Sequence, residues 1–266
     1  MLISDRYNMK NITPKYITVC ICLFLFACNN HENKLQKVVT YHENGKVKSE
    51  SFKLNNQRHG EYKSYYTNGC LEVRAYFKKG IQDSIQQYYN EDGIIMQTSN
   101  YRNGIVCGEL LVYEMGKLSC KQSYIIRNDS SYLNQVIDYT ENGKIDIERS
   151  NYFSLHSKKD TIKMGEVFSL DVKLEASYFN MNMLVIFGDF DTNYNKSTYT
   201  DTLWDRMDDQ VDFKVHYTTT KYHEGENVLK GIIHDYISYY EDDSEQDILA
   251  DVRPLFFEYV FYVKAK

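Results

Sequence analysis

A chain of 266 residues that is 42% apolar and 26% charged is long enough for two modest domains and too rich in core-forming residues to be disordered. Its net charge of −6 runs against a phosphate-binding role, which needs a basic surplus. Its 25 Tyr and only 2 Pro, with turns punctuated by Gly and Asn, favour strands over helices, so an all-β protein is expected.

The first 27 residues read as an export signal. Arg6, Lys10 and Lys15 precede an apolar run from Tyr16 to Ala27 that is shorter than the ~20 residues a membrane-spanning helix needs. Met9 would serve as an alternative start and leave a shorter signal. The run ends Leu25-Phe26-Ala27-Cys28, which resembles the lipobox of bacterial lipoproteins. That resemblance implies lipidation of Cys28 and membrane attachment through acyl chains, each buried CH₂ contributing about 0.8 kcal/mol. Residues 28–36 would then be a polar tether, and Asn29 after Cys28 points to the outer membrane or cell surface. Of the 6 Cys, Cys20 and Cys22 leave with the signal and Cys28 is acylated, so Cys70, Cys107 and Cys120 remain, an odd number. A hairpin centred on Met115-Gly116 sets residue 107 opposite 124 and 120 opposite 111, so no disulfide is expected.

From Tyr41 to Tyr152 one pattern returns. The turn glycines Gly45, Gly69, Gly93, Gly116 and Gly143 lie 24, 24, 23 and 27 residues apart, an internal repeat. Asn44-Gly45, Asn68-Gly69, Asp92-Gly93 and Asn142-Gly143 predict two-residue hairpin turns with positive φ, and Met115-Gly116 is a weaker fifth. Asn55-Asn56, Lys79-Gly80, Asn103-Gly104 and Asn128-Asp129 fall half-way between them, so each unit is two strands and two turns. In the second unit Leu71, Val73, Ala75 and Phe77 alternate with Glu72, Arg74, Tyr76 and Lys78, the period of a strand with one wet face.

Alignment on the turn Gly gives two columns. Val47, Leu71, Ile95, Leu118 and Ile145 are the expected core. Lys53, Phe77, Tyr101, Tyr124 and Asn151 are aromatic in the middle units and polar at both ends, as capping units would be. Tyr41, Tyr65, Tyr66, Tyr88, Tyr89, Tyr113 and Tyr139 precede the turns and predict a ladder of stacked rings. A sharper reading makes some of these rings, Tyr65, Tyr76 and Tyr88 together with Trp204, an aromatic binding surface.

The recurring Tyr-x-x-Asn-Gly-Lys with a downstream Gly and Tyr, as in Tyr41 to Lys46, Gly60 to Gly69 and Tyr139 to Lys144, resembles the variant MORN repeat of bacterial proteins often labelled antitoxin-like. The resemblance covers residues 41 to about 152, within a hairpin-repeat domain placed at 37–153. It implies a β-hairpin array used for protein or lipid contacts, with no catalytic residues. The pattern is broken where Ser84 stands for the Gly found at Gly60 and Gly108, and where Met115 stands for Asn.

Past Phe153 the periodicity stops, Ser154 to Asp160 reads as a polar bridge, and residues 160–266 form a second domain. Residues 28–155 hold 16 Lys and Arg against 15 Asp and Glu, whereas residues 156–266 hold 12 against 21. Short strands are legible at Phe168–Leu174, Met183–Phe187, Val211–Tyr217 and Leu255–Val263, which suggests a β-sandwich. A late hairpin over Tyr222 to Ile233 resembles those of immunoglobulin-like domains. The fold class expected is therefore all-β, a MORN-type hairpin array followed by an immunoglobulin-like sandwich.

Candidate chemistry is sparse. Asp189, Asp191, Asn193 and Asn195 recur every second residue like the start of a calcium loop, but Tyr194 stands where the turn wants Gly and Thr200 where a closing Glu should be. Glu241 to Asp247 is an acidic run that reads as a solvated connector and makes nucleic acid a poor partner. His216 and His234 fall on opposite faces of the expected hairpin, which argues against zinc. No phosphate loop, nucleophile elbow or His-Glu-x-x-His stretch is present, so no enzyme and no cofactor is expected. The expectation is a lipid-anchored envelope protein that binds an unidentified protein, with a carbohydrate-binding lipoprotein and an antitoxin or immunity protein as alternatives.

Overall fold

The computed structural model describes residues 34–206, 213–240 and 248–265, and among them the chain is strand and turn with no helix. The signal segment, Cys28 and the acidic run lie outside these residues. The first half is an antiparallel meander: β1 (Gln36–Tyr41), β2 (Val47–Leu54), β3 (Gln57–Tyr65), β4 (Leu71–Lys78), β5 (Ile81–Gln82), β6 (Ser84–Tyr89), β7 (Ile95–Arg102), β8 (Ile105–Glu114), β9 (Lys117–Arg127), β10 (Ser130–Tyr139) and β11 (Ile145–His156). The short β5 only extends the end of β4, which goes on to pair with β6.

The two sets of turns differ in kind. Asn55-Asn56, Lys79-Gly80, Asn103-Gly104 and Asn128-Asp129 have positive φ at both positions, the two-residue turn that matches strand twist. Met115-Gly116 joins this class, with φ of 49° and 75°. At Asn44-Gly45, by contrast, only Gly45 is left-handed, and the loop takes three residues, closed by His42 N–H to Lys46 C=O at 2.8 Å. The reason is the work done by the Asn side chain. Asn44 Oδ1 accepts the Lys46 N–H and its Nδ2 donates to Thr67 C=O one unit on, both at 3.0 Å. Asn68 repeats this with the Cys70 N–H and Glu91 C=O.

Stacked turns therefore tie unit to unit. The opposite edge does the same through backbone, with Gly80 N–H to Arg58 C=O and Gly104 N–H to Gln82 C=O, both 2.7 Å. This replaces the expected tyrosine ladder: within the array the ring pair is Tyr62 with Phe77, edge-on at 6.0 Å, while Tyr66 instead donates its hydroxyl to Tyr89 C=O at 2.6 Å. The expected core column is only half-buried, and Ile145 is 39% exposed, because the array is a single layer. A bulge at Val112/Tyr113 also moves the cysteine register by one, so that Gly108 faces Tyr124 and Cys120 faces Val112.

Beyond β11 come β12 (Thr161–Lys163), β13 (Phe168–Ala176), β14 (Asn182–Phe190), β15 (Lys196–Arg206), β16 (Lys214–Thr219), β17 (Gly225–Tyr240) and β18 (Ile248–Lys264). They complete two sheets. β13 and β16 extend the array beyond β11 into one 13-stranded sheet, and the other runs β12-β18-β17-β14-β15 with β12 parallel to β18. The strict alternation of β13 buries Phe168, Leu170, Val172 and Leu174 against Met183, Val185 and Phe187 of β14, Ile233 of β17 and Leu255, Phe257 and Val263 of β18. Phe187 stacks on Tyr217 at 4.0 Å and Phe168 on Phe261 at 3.8 Å.

Two expectations change here. The residues read as a polar bridge begin as strand: Ser154 to His156 belong to β11, whose first part pairs with β10 and whose last residues pair with β13. Asn151, read as a polar cap, is instead buried at 5% exposure where the array enters the sandwich. The segment from Tyr222 to Ile233 is not half of a hairpin with β16. Residues 220–224 carry the chain from β16 in one sheet to β17 in the other, because both strands must turn their apolar residues onto one shared interior. His216 and His234 are thereby separated. His216 Nδ1 meets Asp171 at 2.6 Å, and His234 sits opposite Leu184 and Pro254.

Candidate functional site

The register divides the array into two unlike faces. One unbroken cross-strand row reads Val39, Glu50, Lys63, Arg74, Gln87, Thr98, Leu111, Lys121 and Ile137. Its charges are paired: Lys37 with Glu50 at 2.7 Å, Lys63 with Glu61 at 2.8 Å, Arg74 with Glu61 at 2.7 Å, and Lys121 with Glu109. The Lys63 hydrogen bond, with Arg74 adding to it, holds the Glu61 carboxyl below its ordinary range against a partial cost of burial.

The adjacent row, on the other face, reads Thr40, Ser49, Ser64, Val73, Tyr88, Gln97, Val112, Cys120 and Asp138. Beside it run Ser51, Tyr62 and Ala75, then Gln86, Ser99, Leu110, Gln122, Val136 and Asn151. Ser51, Ser64, Ala75, Gln86 and Ser99 are all buried, so this is the sheltered, inner face. Small residues lie at its floor, with Tyr62, Phe77 and Tyr88 standing around them. Ser99 is fully buried and its hydroxyl has no partner. At the far end Asn151 shares its face with Phe153 and Leu155, which pack on the sandwich core.

The second sheet meets the array along β10. Asn134 is 4% exposed and clamps one residue of β18, donating to Phe256 C=O at 2.8 Å and accepting its N–H at 2.7 Å. Arg253 donates to Leu133 C=O at 2.6 Å and to the Tyr132 hydroxyl at 2.5 Å, and that hydroxyl donates to Pro254 C=O at 2.7 Å. Asp235, fully buried, accepts from Ser177 Oγ at 2.7 Å, the Tyr178 N–H at 2.5 Å and Asn151 Nδ2 at 3.0 Å. These contacts pair buried and half-buried polar groups, leaving Asn151 Oδ1 as the exception, so the junction is a fitted one rather than a loose tether. A cleft of about 760 Å³ opens beside it, lined by Arg102, Tyr124, Asp129, Tyr194, Phe256 and Glu258 among others.

The residues singled out from sequence are distributed differently from what was expected. Tyr65 and Tyr76 lie on the charged face, their hydroxyls bonded to Glu50 and Glu61 at 3.0 and 3.3 Å. Tyr88 is on the inner face and 38% exposed, and Trp204 is on β15 opposite Leu184, in the other sheet. Tyr65 and Tyr76 thus lie on the face opposite Tyr88, and Trp204 stands on a strand of the other sheet. Asp191 Oδ1 accepts the N–H groups of Asn195 at 2.9 Å and Asn193 at 2.7 Å, the first of these doing most to lower its pKa, and Asn193 accepts from Arg127 and from the Asn128 N–H, both at 2.9 Å. The loop read as a calcium motif is thus tied by its oxygens to the tip of the β9–β10 hairpin. Among the described residues no group of three or more His, Cys, Asp or Glu gathers as a metal site.

Cys70, Cys107 and Cys120 are free thiols. Burial, reinforced by Asp138, pushes the Cys120 thiol up to about 12, so it is not a ready nucleophile. Sequence reasoning missed the cleft, because its walls come from β7–β9, the 191–195 turn and β18; the one local signal was Tyr194 in a position that wants Gly.

A family profile described as MORN repeat variant matches residues 37–52, 58–79 and 82–103. These are the units of β1–β2, β3–β4 and β5–β7, and the same hairpin pattern continues structurally to β11. Residues 37–103 are thus a MORN repeat region built of antiparallel hairpins. No curated protein matches the chain.

Proposed function

We propose that this chain is a non-enzymatic, lipid-anchored protein of the cell envelope whose MORN array binds a protein partner on its inner face. The observation that carries this reading is the contrast along one sheet. Where that face enters the sandwich it is covered by a second sheet, yet over β2 to β9 it presents Val73, Tyr88 and Val112 with no second sheet upon them among the described residues. The opposite face pairs most of its charges internally and is a solvated surface. An open, mixed apolar and hydroxyl face of this kind is what protein interfaces use at their centres.

We also infer that the sandwich is immunoglobulin-like. The support is its connectivity: β13 pairs with β16 in one sheet, the other runs β12-β18-β17-β14-β15 with β12 parallel to β18, and the chain crosses between them from β12 to β13, β13 to β14, β15 to β16 and β16 to β17, a Greek-key sandwich.

A photo-activatable residue replacing Tyr88 should crosslink a partner in native membranes, while the same residue replacing Arg74 on the other face should not. Equal labelling from both faces overturns the inner-face reading. Cys28→Ala should release the chain from membranes and abolish palmitate labelling, and unchanged fractionation removes the anchor from the proposal.

A further inference from the structure

We propose that the cleft between the last array hairpins and the sandwich is a binding site for a short, neutral oligosaccharide. Its volume of about 760 Å³ falls within the range of small-ligand sites, roughly 300–1,000 Å³. Tyr124 and Tyr194 supply aromatic rings, Phe256 lies beneath them at 3% exposure with the Arg127 guanidinium 4.2 Å from its ring, and Arg102, Asp129 and Glu258 supply planar charged groups of both signs. Glu258 is oriented by Lys230 at 2.9 Å, whereas Arg102 and Asp129 have no side-chain partner among the described residues.

This mixture selects the ligand class. An apolar ligand would strip water from three charged groups and return nothing to them. A polyanion would find no surplus of positive charge, since Lys230 is held by Glu258 and Asp129 offsets Arg102. A neutral sugar satisfies all of them, because vicinal hydroxyls donate to carboxylates and accept from a guanidinium while the C–H face of the ring packs on an aromatic plane.

Tyr194 adds an independent mark. It holds φ of 57°, a left-handed backbone that a bulky residue rarely adopts, and such strain gathers at ligand clamps. The strain is held by the Asp191 bonds to Asn193 and Asn195, by Arg127 on Asn193, and by ring contacts with Phe190 at 6.0 Å and Phe256 at 4.7 Å. With all this restraint, its hydroxyl makes no hydrogen bond within the described residues and is left for a ligand.

The site stands apart from the inner-face reading, and its test is separate. The full chain is titrated calorimetrically with linear oligosaccharides of glucose, mannose and xylose, followed by saturation-transfer NMR. At least one series should bind, and Arg102→Ala, Asp129→Asn and Tyr194→Phe should each weaken it about tenfold, as for loss of a charged or well-placed hydrogen bond. The Arg102→Ala melting temperature should be unchanged, since that side chain has no partner to lose. The proposal is overturned if no series binds, if binding survives all three variants, if Tyr88→Ala abolishes it instead, or if short peptides bind the cleft and sugars do not.

Discussion

The two halves of this molecule share one sheet and are stabilised by different means. In the sandwich, Phe168, Leu170, Val172, Met183, Val185, Phe187, Ile233, Leu255 and Val263 are completely buried between two sheets. In the array the only buried apolar side chain among the described residues is Ala75. Burial of a large apolar side chain contributes about 1.5–3 kcal/mol, so the sandwich is driven by the hydrophobic effect. The array relies on hydrogen bonds between neighbouring turns, from Asn44 and Asn68 on one edge and Gly80 and Gly104 on the other, and on being continuous through β11 with a sheet that does have a core. One consequence is that the array's stability depends on its neighbour, much as a repeat depends on the unit it stacks on.

The comparison can be broken first at the core. Phe187→Ala should cost about 3–5 kcal/mol in urea unfolding, and it should carry the array's transition down with it; an array signal that stays put would show two independent folds. Next, Asn134→Ala strands the Phe256 N–H and C=O and should cost about 1–3 kcal/mol, while amide exchange rises at β10 and β18 more than at β2 and β3. Within the array, Asn68→Ala removes one rung and should cost about 0.5–1 kcal/mol, measured by thermal unfolding.

Acid sharpens the contrast from the sandwich side. Burial depresses the pKa of His234, so the folded state holds it neutral while the unfolded chain takes up a proton near its ordinary value of about 6.5. Its share of stability is complete above that pH and is lost as pH falls toward the depressed folded value. His234→Asn should flatten the fall in melting temperature over that window. The smallest effect is a gain: Ser84 holds φ of 66° where its counterparts are Gly60 and Gly108, so Ser84→Gly should raise stability by up to ~1 kcal/mol.

Much of this architecture was legible in the residues. The 24-residue spacing of Gly45, Gly69 and Gly93 predicted the hairpins, and alternation from Phe168 to Leu174 predicted a half-covered strand that became β13. Other features were not legible because they depend on who lies opposite. Asn151 reads as a polar end cap, yet it is buried beside Asp235 from a strand 84 residues away. Asn44 and Asn68 read as left-handed turn residues, but the next unit offers carbonyls that their amides reach only from a three-residue loop. His216 and His234 read as opposite faces of one short hairpin, yet the chain changes sheets between them.

By itself the sequence determined the all-β class, the repeat unit, the positions of nearly every turn and the sandwich strands β13, β14, β16 and β18, since these follow from the period of side chains and the φ that Gly and Asn allow; it did not determine β12, β15 or the full length of β17. Only the tertiary structure decided that array and sandwich share one sheet, that one array face is sheltered and the other charged, and that Tyr124, Tyr194 and Phe256 meet around a cleft. Those outcomes rest on register, bulges and contacts between distant strands, which no local pattern encodes.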